Sequence, residues 1–273
     1  MRQRILSSVI LWALVFLCLH YLGTVGGVWL VALFGVLTLR EFYAMLERMG
    51  LNPFDRFGLA LGAAIMLGPL YLEPYGLSTE VLLALTVAVF SIRILGEREP
   101  HNRLETLGWS LFGVIYVPFM FHFLVRVLLI HAPREQTGLW LALWLIAVSK
   151  FCDTGALVIG CAFGRHKMAP NISPKKSWEG VAGGLATSAL VGAGLAWVCR
   201  PYLPATLTPL VAAAMALPIA GFAIVSDLIE SIIKRRAETK DTGHTIPGIG
   251  GVFDLSDSLI LTAPLGYVLF RLL

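Results

Sequence analysis

The last apolar run of the chain follows a loop of glycines and carboxylates, in the stretch PGIGGVFDLSDSLILTAPLGYVLF from Pro247 to Phe270. After Asp257 this stretch contains no charged residue, which is typical of a segment that enters a bilayer. Two carboxylates at the mouth of such a segment repel each other and are costly to keep near the membrane without a partner. The stretch therefore predicts a membrane fold with a polar loop at its edge.

The composition of the whole chain indicates the same class of protein. Of the 273 residues, 57% are hydrophobic and 14% are charged, whereas charged residues make up about 25% of an ordinary soluble domain. The mean hydropathy is +0.79 and the isoelectric point is about 9.0. We predict an all-α polytopic membrane protein, whose basic residues mark cytoplasmic loops and contact headgroups or phosphates. No basic stretch is interleaved with aromatic residues, so nucleic acid is not an expected partner.

Apolar runs of suitable length define the expected membrane helices. The first run follows a basic N-terminus and has no clear small-x-small cleavage site, so we interpret it as a retained helix and not as a signal peptide. We predict about nine spans, at residues 5–22, 25–40, 57–75, 79–95, 107–129, 138–161, 180–198, 206–225 and 257–272.

The distribution of basic residues orients these spans. With the N-terminus in the cytoplasm, 16 of the 21 Lys and Arg residues fall in cytoplasmic segments and four in outer segments. This bias favours nine spans, with the loops at 162–179 and 226–256 both in the cytoplasm. Acidic residues in the first cytoplasmic loops, including Glu41, are interpreted as solvated loop charges.

Charged residues within an apolar run mark the first candidate site. Lys150 and Asp153, in SKFCDTGALVIG, are three residues apart and share one face of a helix. They form either a buried ion pair or the lining of a polar cavity, because carboxylates are rare at membrane depth.

The second candidate site is the basic element SPKKSWEG, Ser173 to Gly180. Ser177 is placed to cap the helix that follows, and Glu179 falls in the first turn of that helix. A helix N-terminus flanked by lysines and serines is suited to binding phosphate. The alternative is a positively charged loop that only sets the topology.

The third candidate site runs from Ser226 to Leu259. Gly250 and Gly251 allow the backbone to approach a ligand closely. Asp254 and Asp257, at i and i+3, point to one side of a helix, where Mg²⁺ with substrate phosphates would balance their charge. The alternative is that they only cap the last helix. Together with nearby lysines and serines, the carboxylates favour metal-assisted phosphoryl or nucleotidyl transfer.

These elements resemble the phosphatidate cytidylyltransferase (CDP-diacylglycerol synthase) family. CDTGA at 152–156 is similar to its intramembrane aspartate element, and SPKKSWEG to its SPKKTWEG element. Its C-terminal pattern is matched by Ser231, Lys234, Arg235, Lys240, Asp241, Pro247, Gly250, Gly251, Asp254 and Asp257. The resemblance is strong over residues 140–273. The chain departs from the pattern at Ile249, Leu255 and Ser226, where the family usually has histidine, arginine and glycine.

The resemblance implies that CTP and phosphatidate react to give CDP-diacylglycerol and pyrophosphate, with Mg²⁺ as cofactor. It implies Lys234, Asp254 and Asp257 as catalytic residues and Asp254, Asp227 and Asp257 as metal ligands; whether a second ion binds is left open. The implied substrate contacts are Asp153, Ser173, Lys175, Lys176, Ser177, Ser231, Arg235, Lys240, Asp241, Gly250 and Gly251.

We expect one integral membrane unit, with N-terminal helices at 1–135 and a C-terminal catalytic region at 136–273. The expected location is the inner (cell) membrane, with the active site facing the cytoplasm; a homodimer is left open beside a monomer. Two other functions stay open. One is a cytidylyltransferase for another lipid phosphate, because Ile249 and Leu255 leave the substrate undecided. The other is a secondary transporter, which intramembrane Lys150 and Asp153 would suit.

Overall fold

A computed structural model of the protein describes residues 2–96, 102–239, 241–243, 245 and 250–273, with side chains for residue 13 and from residue 15 onward. The α-helices in these residues are α1 (Arg2–Arg48), α2 (Asp55–Tyr71), α3 (Thr79–Leu95), α4 (Arg103–Val114), α5 (Met120–Leu128), α6 (Thr137–Phe163), α7 (Trp178–Val198), α8 (Pro209–Arg236) and α9 (Val252–Arg271). A π-helical turn at Ile115–Phe119 joins α4 to α5.

The protein is an all-α, polytopic membrane protein, as predicted. In the described part of the chain, six helical stretches are long and apolar enough to cross a membrane: Val15–Arg48, Arg103–Leu128, Thr137–Phe163, Trp178–Val198, Pro209–Arg236 and Val252–Arg271. Helices α2 and α3 are also apolar, but each has 17 residues. The count of about nine spans therefore stays a prediction.

Helix boundaries differ from the predicted spans where polar residues continue a helix. The first two predicted spans both lie in α1, which consists of two helical segments separated by a kink at Gly23, where φ is 53°. Helix α8 continues to Arg236, beyond the predicted end at residue 225, and α9 begins at Val252, before the predicted start at 257. Hydropathy marks the membrane-embedded part of a helix, whereas hydrogen bonding and capping decide where the helix ends.

A small antiparallel hairpin lies between α6 and α7, where the sequence predicted only a loop. Strand β1 (Lys167–Ala169) pairs with β2 (Ser173–Ser177), and Lys167 is opposite Ser177. Helix α7 begins directly after β2. The hairpin therefore fixes the path of the SPKKSWEG element relative to the start of α7.

The chain forms two compact units. The first comprises Met1–Val125 and Lys234–Ser256. A core cluster of large apolar side chains stabilises it: Phe54, Ile65, Leu82, Phe90 and Val114. The unit thus joins the N-terminal helices to the end of α8, the glycine-rich loop and the first turn of α9.

The second unit comprises Arg126–Ile233 and Asp257–Leu273. Small residues allow α6 and α7 to pack closely: a Cβ added at Gly184 would lie 2.9 Å from the Cys152 carbonyl oxygen. Trp144 Nε1 donates to the Gly192 carbonyl oxygen at 2.9 Å, and Ser188 Oγ to that of Val148 at 2.9 Å. The predicted division at residue 135 concerns function and stays a prediction.

Candidate active site

Three carboxylates converge in the second unit. Asp227 and Glu230 lie one turn apart on α8, and Asp257 lies on α9. One carboxylate oxygen from each residue lies within 4.8 Å of the others. Asp257 and Glu230 are buried, with 7% and 2% of their surfaces exposed. Three hard oxygen donors at this spacing fit a divalent cation such as Mg²⁺.

Hydrogen bonds hold Asp257 in place within this cluster. Its side-chain Oδ1 accepts the backbone N–H of Ser258 at 2.6 Å, and its backbone carbonyl oxygen accepts the hydroxyl of Ser226. Ser226, where the family pattern usually has glycine, is fully buried. The serine hydroxyl therefore ties α8 to α9 beside the carboxylates.

Two lysines border the carboxylates. Lys176 Nζ, from β2, lies 2.5 Å from Asp227 Oδ2. Lys150 Nζ, from α6, lies 3.5 Å from Asp257 Oδ1 and 3.8 Å from Asp153 Oδ2. Lys150 and Asp153 thus form an ion pair, but it is not the buried pair of the first alternative, because both side chains are about one-third exposed and Lys150 also contacts Asp257. Carboxylates and ammonium groups thus alternate in a small polar region.

The hairpin and the start of α7 also carry the serines and the first lysine of the basic element. Ser177 caps α7, as predicted, because its Oγ accepts the backbone N–H of Gly180 at 3.2 Å. Lys175 is exposed, and Ser173 is half-buried. Glu179, in the first turn of α7, contacts His166 Nδ1 at 2.6 Å.

A different set of predicted residues meets in the first unit. Lys234 Nζ donates to Asp254 Oδ1 at 2.6 Å. Asp254 Oδ2 accepts the backbone N–H of Gly251 at 3.0 Å and both the N–H and hydroxyl of Thr242, at 3.2 and 3.0 Å. Asp254 is therefore held by the ammonium group of Lys234 and by the loop that precedes α9.

The other predicted residues are distributed along the same elements. Ser231 follows Asp227 by one turn on α8 and is half-buried, whereas Arg235 and Asp241 are exposed. Gly250 has φ of 125°, a backbone conformation that favours glycine. Lys240 and Ile249 lie outside the described residues.

Comparison with known proteins shows the family to which the chain belongs. The sequence profile of the Cytidylyltransferase family matches residues 2–273. This chain belongs to the cytidylyltransferase family. The phosphatidate cytidylyltransferase of Synechocystis sp. is 31% identical over 299 residues, which cover 99% of this chain and 97% of that protein. The Bacillus subtilis protein of the same name is 28% identical over 275 residues, covering 100% and 98%. The Pseudomonas aeruginosa one is 34% identical over 216 residues, covering 77% and 76%.

Membership of the cytidylyltransferase family confirms the resemblance inferred from the three sequence elements. The match also extends over the N-terminal half, where the sequence showed only generic membrane helices. Neither of the alternative functions, transport and transfer to another lipid phosphate, gains support from these relatives.

Two acidic residues of this cytidylyltransferase-family protein have roles that sequence reasoning missed. Glu230 joins the carboxylate cluster, and its spacing of three residues from Asp227 was the available signal. Glu41 was interpreted as a solvated loop charge, and that was wrong: it is 6% exposed and accepts four hydrogen bonds. The four donors lie about 200 residues later in the chain, so no local spacing pointed to Glu41.

Proposed function

We propose that the protein makes CDP-diacylglycerol and pyrophosphate from CTP and phosphatidate, as a step of phospholipid biosynthesis. Relatives that match nearly its whole length are named phosphatidate cytidylyltransferase. The observation that carries the proposal is the cluster of Asp227, Glu230 and Asp257 with Lys176 beside it, in a membrane protein. Such a cluster suits a phosphate-bearing nucleotide and a lipid that stays in the bilayer.

The proposed reaction forms one phosphorus–oxygen bond and breaks another. An oxygen of the phosphatidate phosphate bonds to the α-phosphorus of CTP. The bond from that phosphorus to the oxygen shared with the β-phosphate breaks, and pyrophosphate leaves with the electron pair. Because the nucleophile is already an anion, no strong general base is required. The protein therefore has to position the phosphates and neutralise their charge.

Mg²⁺ is the proposed cofactor, and Asp227, Glu230 and Asp257 are the residues that would hold it. Carboxylates combined with substrate phosphates are the usual ligand set of this ion in proteins. When bound, it supplies charge neutralisation at the phosphates. A second ion, and Asp254 as a further ligand, stay predictions.

The lysines of the second unit are proposed to bind phosphate oxygens. Asp227 keeps the ammonium group of Lys176 beside the carboxylate cluster, and Lys175 adjoins it on the exposed side of β2. Ser173, Ser177 and Ser231 remain proposed substrate contacts, as does Asp153 next to Lys150.

In the first unit, Lys234 and Asp254 are proposed as catalytic residues. The ion pair at 2.6 Å restricts the lysine ammonium to one position, which reduces the entropy lost when a phosphate binds. Arg235, Lys240, Asp241, Gly250 and Gly251 are the proposed substrate contacts of this unit.

The proposed location is the inner membrane, crossed about nine times, with the N-terminus and the catalytic loops in the cytoplasm. The excess of basic residues in the segments assigned to the cytoplasm supports this orientation. CTP is too highly charged to cross a bilayer unaided, so the catalytic loops must face the side of the membrane on which CTP is present. A monomer and a homodimer are both compatible with the proposal, and light scattering of the purified protein distinguishes them.

The test is incorporation of radiolabelled CTP into lipid by the purified protein in nanodiscs. We expect a lipid-soluble cytidine product with phosphatidate and Mg²⁺, and none after chelation of divalent cations. Asp257→Asn should abolish the product, whereas Glu135→Gln, which removes an exposed carboxylate before α6, should leave it unchanged.

Other lipid phosphates serve as competing substrates in the same assay. A polyprenyl phosphate that is used in preference to phosphatidate would overturn the proposed substrate. No product from folded protein with any lipid phosphate would overturn the proposed activity.

A further inference from the structure

Glu41 lies on α1 but contacts the loop and helix that carry Asp254, and all of these residues belong to the first unit. Its Oε1 accepts the hydroxyl of Thr245 at 2.5 Å and the backbone N–H of Val252 at 3.0 Å. Its Oε2 accepts the hydroxyl of Thr242 at 3.0 Å and the backbone N–H of Phe253 at 2.9 Å. Both oxygens of a buried carboxylate are therefore used, with two donors each.

These bonds supply a cap that α9 cannot make from its own sequence. The first N–H groups of a helix have no partner within the helix, and the side chain just before the helix usually accepts one of them. Gly251 occupies that position and has no side chain. The carboxylate of Glu41 accepts the N–H groups of Val252 and Phe253 in its place, and its negative charge also suits the positive end of the helix.

The glycine is necessary because the cap occupies its side-chain space. A Cβ added at Gly251 would lie 1.9 Å from Thr242 Oγ1 and 2.5 Å from Glu41 Oε2. A Cβ at Gly243 would lie 2.8 Å from Glu41 Oε1. Because Gly243 and Gly251 have no side chains, the carboxylate of Glu41 fits against the backbone of the loop.

The same bonds reach Asp254. The hydroxyl of Thr242 contacts both Glu41 Oε2 and Asp254 Oδ2, each at 3.0 Å. The N–H of Gly251 points to Asp254 Oδ2. Glu41 and Asp254 are thus linked through the hydroxyl of Thr242, and both carboxylates fix the position of the loop. Asp254 in turn accepts a hydrogen bond from Lys234.

We infer that Glu41 is a positioning residue for the proposed cytidylyltransferase reaction: it caps α9 in place of the absent side chain at Gly251 and thereby fixes Asp254 and its Lys234 partner. The inference rests on the proposed function for its effect on turnover. Its structural part, the cap, is measurable without any substrate.

Glu41→Gln is the main test variant. A glutamine keeps the size, but its amide nitrogen cannot accept, so two of the four donors lose their acceptor. The matched control is Glu47→Gln, which removes an exposed carboxylate from the same helix. Glu41→Asp keeps the charge but shortens the side chain.

Hydrogen exchange of the full-length protein in nanodiscs measures how well the capped N–H groups at the start of α9 are protected. In Glu41→Gln, the peptide covering residues 250–256 should exchange faster by about tenfold or more, in line with the loss of bonds to a charged acceptor. Peptides from α2 should exchange as in the wild type, because none of the four donors to Glu41 belongs to that helix. Equal exchange in Glu41→Gln and Glu47→Gln would overturn the inference, whatever the activity.

Measurement of kcat distinguishes a role of Glu41 in positioning Asp254 and Lys234 from a general loss of folded protein. At a temperature where the variant is fully folded, we expect kcat for CDP-diacylglycerol formation to fall about tenfold to a hundredfold in Glu41→Gln, with the KM for CTP close to that of the wild type. Glu41→Asp should recover part of kcat. A fall in kcat that only follows a lower unfolding temperature would overturn the positioning role.

Thr242→Val provides the same test if Glu41→Gln does not fold. Valine matches threonine in shape and removes the hydroxyl that contacts both carboxylates. Faster exchange at residues 250–256 with reduced kcat supports the inference, and unchanged exchange overturns it. If the cap is lost as expected but wild-type protein forms no CDP-diacylglycerol, the proposed function fails and the cap stands.

Discussion

At the scale of single residues, the carboxylate cluster contains one member that the sequence motif did not include. Glu230 is 2% exposed and brings a third oxygen donor to Asp227 and Asp257. A third carboxylate increases the negative charge of the site and so the affinity for a divalent cation.

Glu230→Gln should therefore raise the Mg²⁺ concentration that gives half-maximal activity by about tenfold or more. The KM for CTP at saturating Mg²⁺ should change much less. Titration of activity with Mg²⁺ measures the effect, and Glu135→Gln, which changes an exposed carboxylate outside the cluster, is the control. An unchanged Mg²⁺ requirement would remove Glu230 from the proposed ligands.

The residues that could be predicted from sequence are those whose partners are close in the chain. Ser177 and Gly180, whose N–H group it caps, are three residues apart, and Lys150 and Asp153 are also three residues apart. The role of Glu41 could not be predicted in this way, because the donors of the four hydrogen bonds that it accepts lie between residues 242 and 253. Only the packing of the folded unit shows that its carboxylate is buried.

At the scale of secondary-structure elements, the loop before α9 depends on space as well as on hydrogen bonds. A side chain at Gly251 would overlap the hydroxyl of Thr242 and the carboxylate of Glu41. Helix α7 offers a contrast, because a Cβ at Gly194 would meet no atom within 4 Å.

Gly251→Ala should reduce kcat to about a tenth of the wild-type value or less, since the loop has to move for the methyl group to fit. Gly194→Ala should keep full activity and a normal unfolding temperature. The radiolabelled CTP assay, together with thermal unfolding in detergent, compares the two. Full activity of Gly251→Ala would show that the loop position is not needed for turnover.

The start of α7 allows a separate prediction about stability. Ser177 Oγ accepts the N–H of Gly180, whereas Ser78, in the same position before α3, makes no side-chain capping bond in the described structure. Ser177→Ala should lower the free energy of unfolding by about 1 kcal/mol, and Ser78→Ala should lower it by less. Titration with SDS measures both values. Equal effects would mean that the Ser177 bond contributes nothing to stability.

The elements also show where hydropathy is informative. Within the residues that the structure describes, it located each of the six long apolar helices, because a bilayer requires about 20 apolar residues. It did not detect the hairpin of β1 and β2, whose strands have only three and five residues, nor the extension of α8 through its basic last turn. Those features depend on local hydrogen bonds, which an average over apolar residues does not record.

At the scale of the whole molecule, the proposed topology predicts which loops face the cytoplasm. The orientation with the N-terminus in the cytoplasm places the hairpin in the cytoplasm and the loop between α7 and α8 outside. Asn171, in the hairpin turn, and Ala205, between α7 and α8, are both exposed, so a cysteine at either position is accessible to a reagent.

In a variant without the four native cysteines, a membrane-impermeant maleimide added to spheroplasts should label Ala205→Cys and not Asn171→Cys. Both should be labelled after the membrane is permeabilised. Labelling of both in intact spheroplasts would contradict a membrane crossing by α7. The reverse pattern would contradict the proposed orientation.

The cap that Glu41 places on α9 connects α1 to α9. A polypeptide made from residues 136–273 alone therefore contains the proposed catalytic carboxylates but lacks Glu41, the acceptor for the N–H groups of Val252 and Phe253 at the start of α9. Such a fragment should be inactive when expressed by itself and should gain activity when residues 1–135 are co-expressed as a separate chain. Such a result would show that the N-terminal helices contribute to turnover and do more than hold the protein in the membrane.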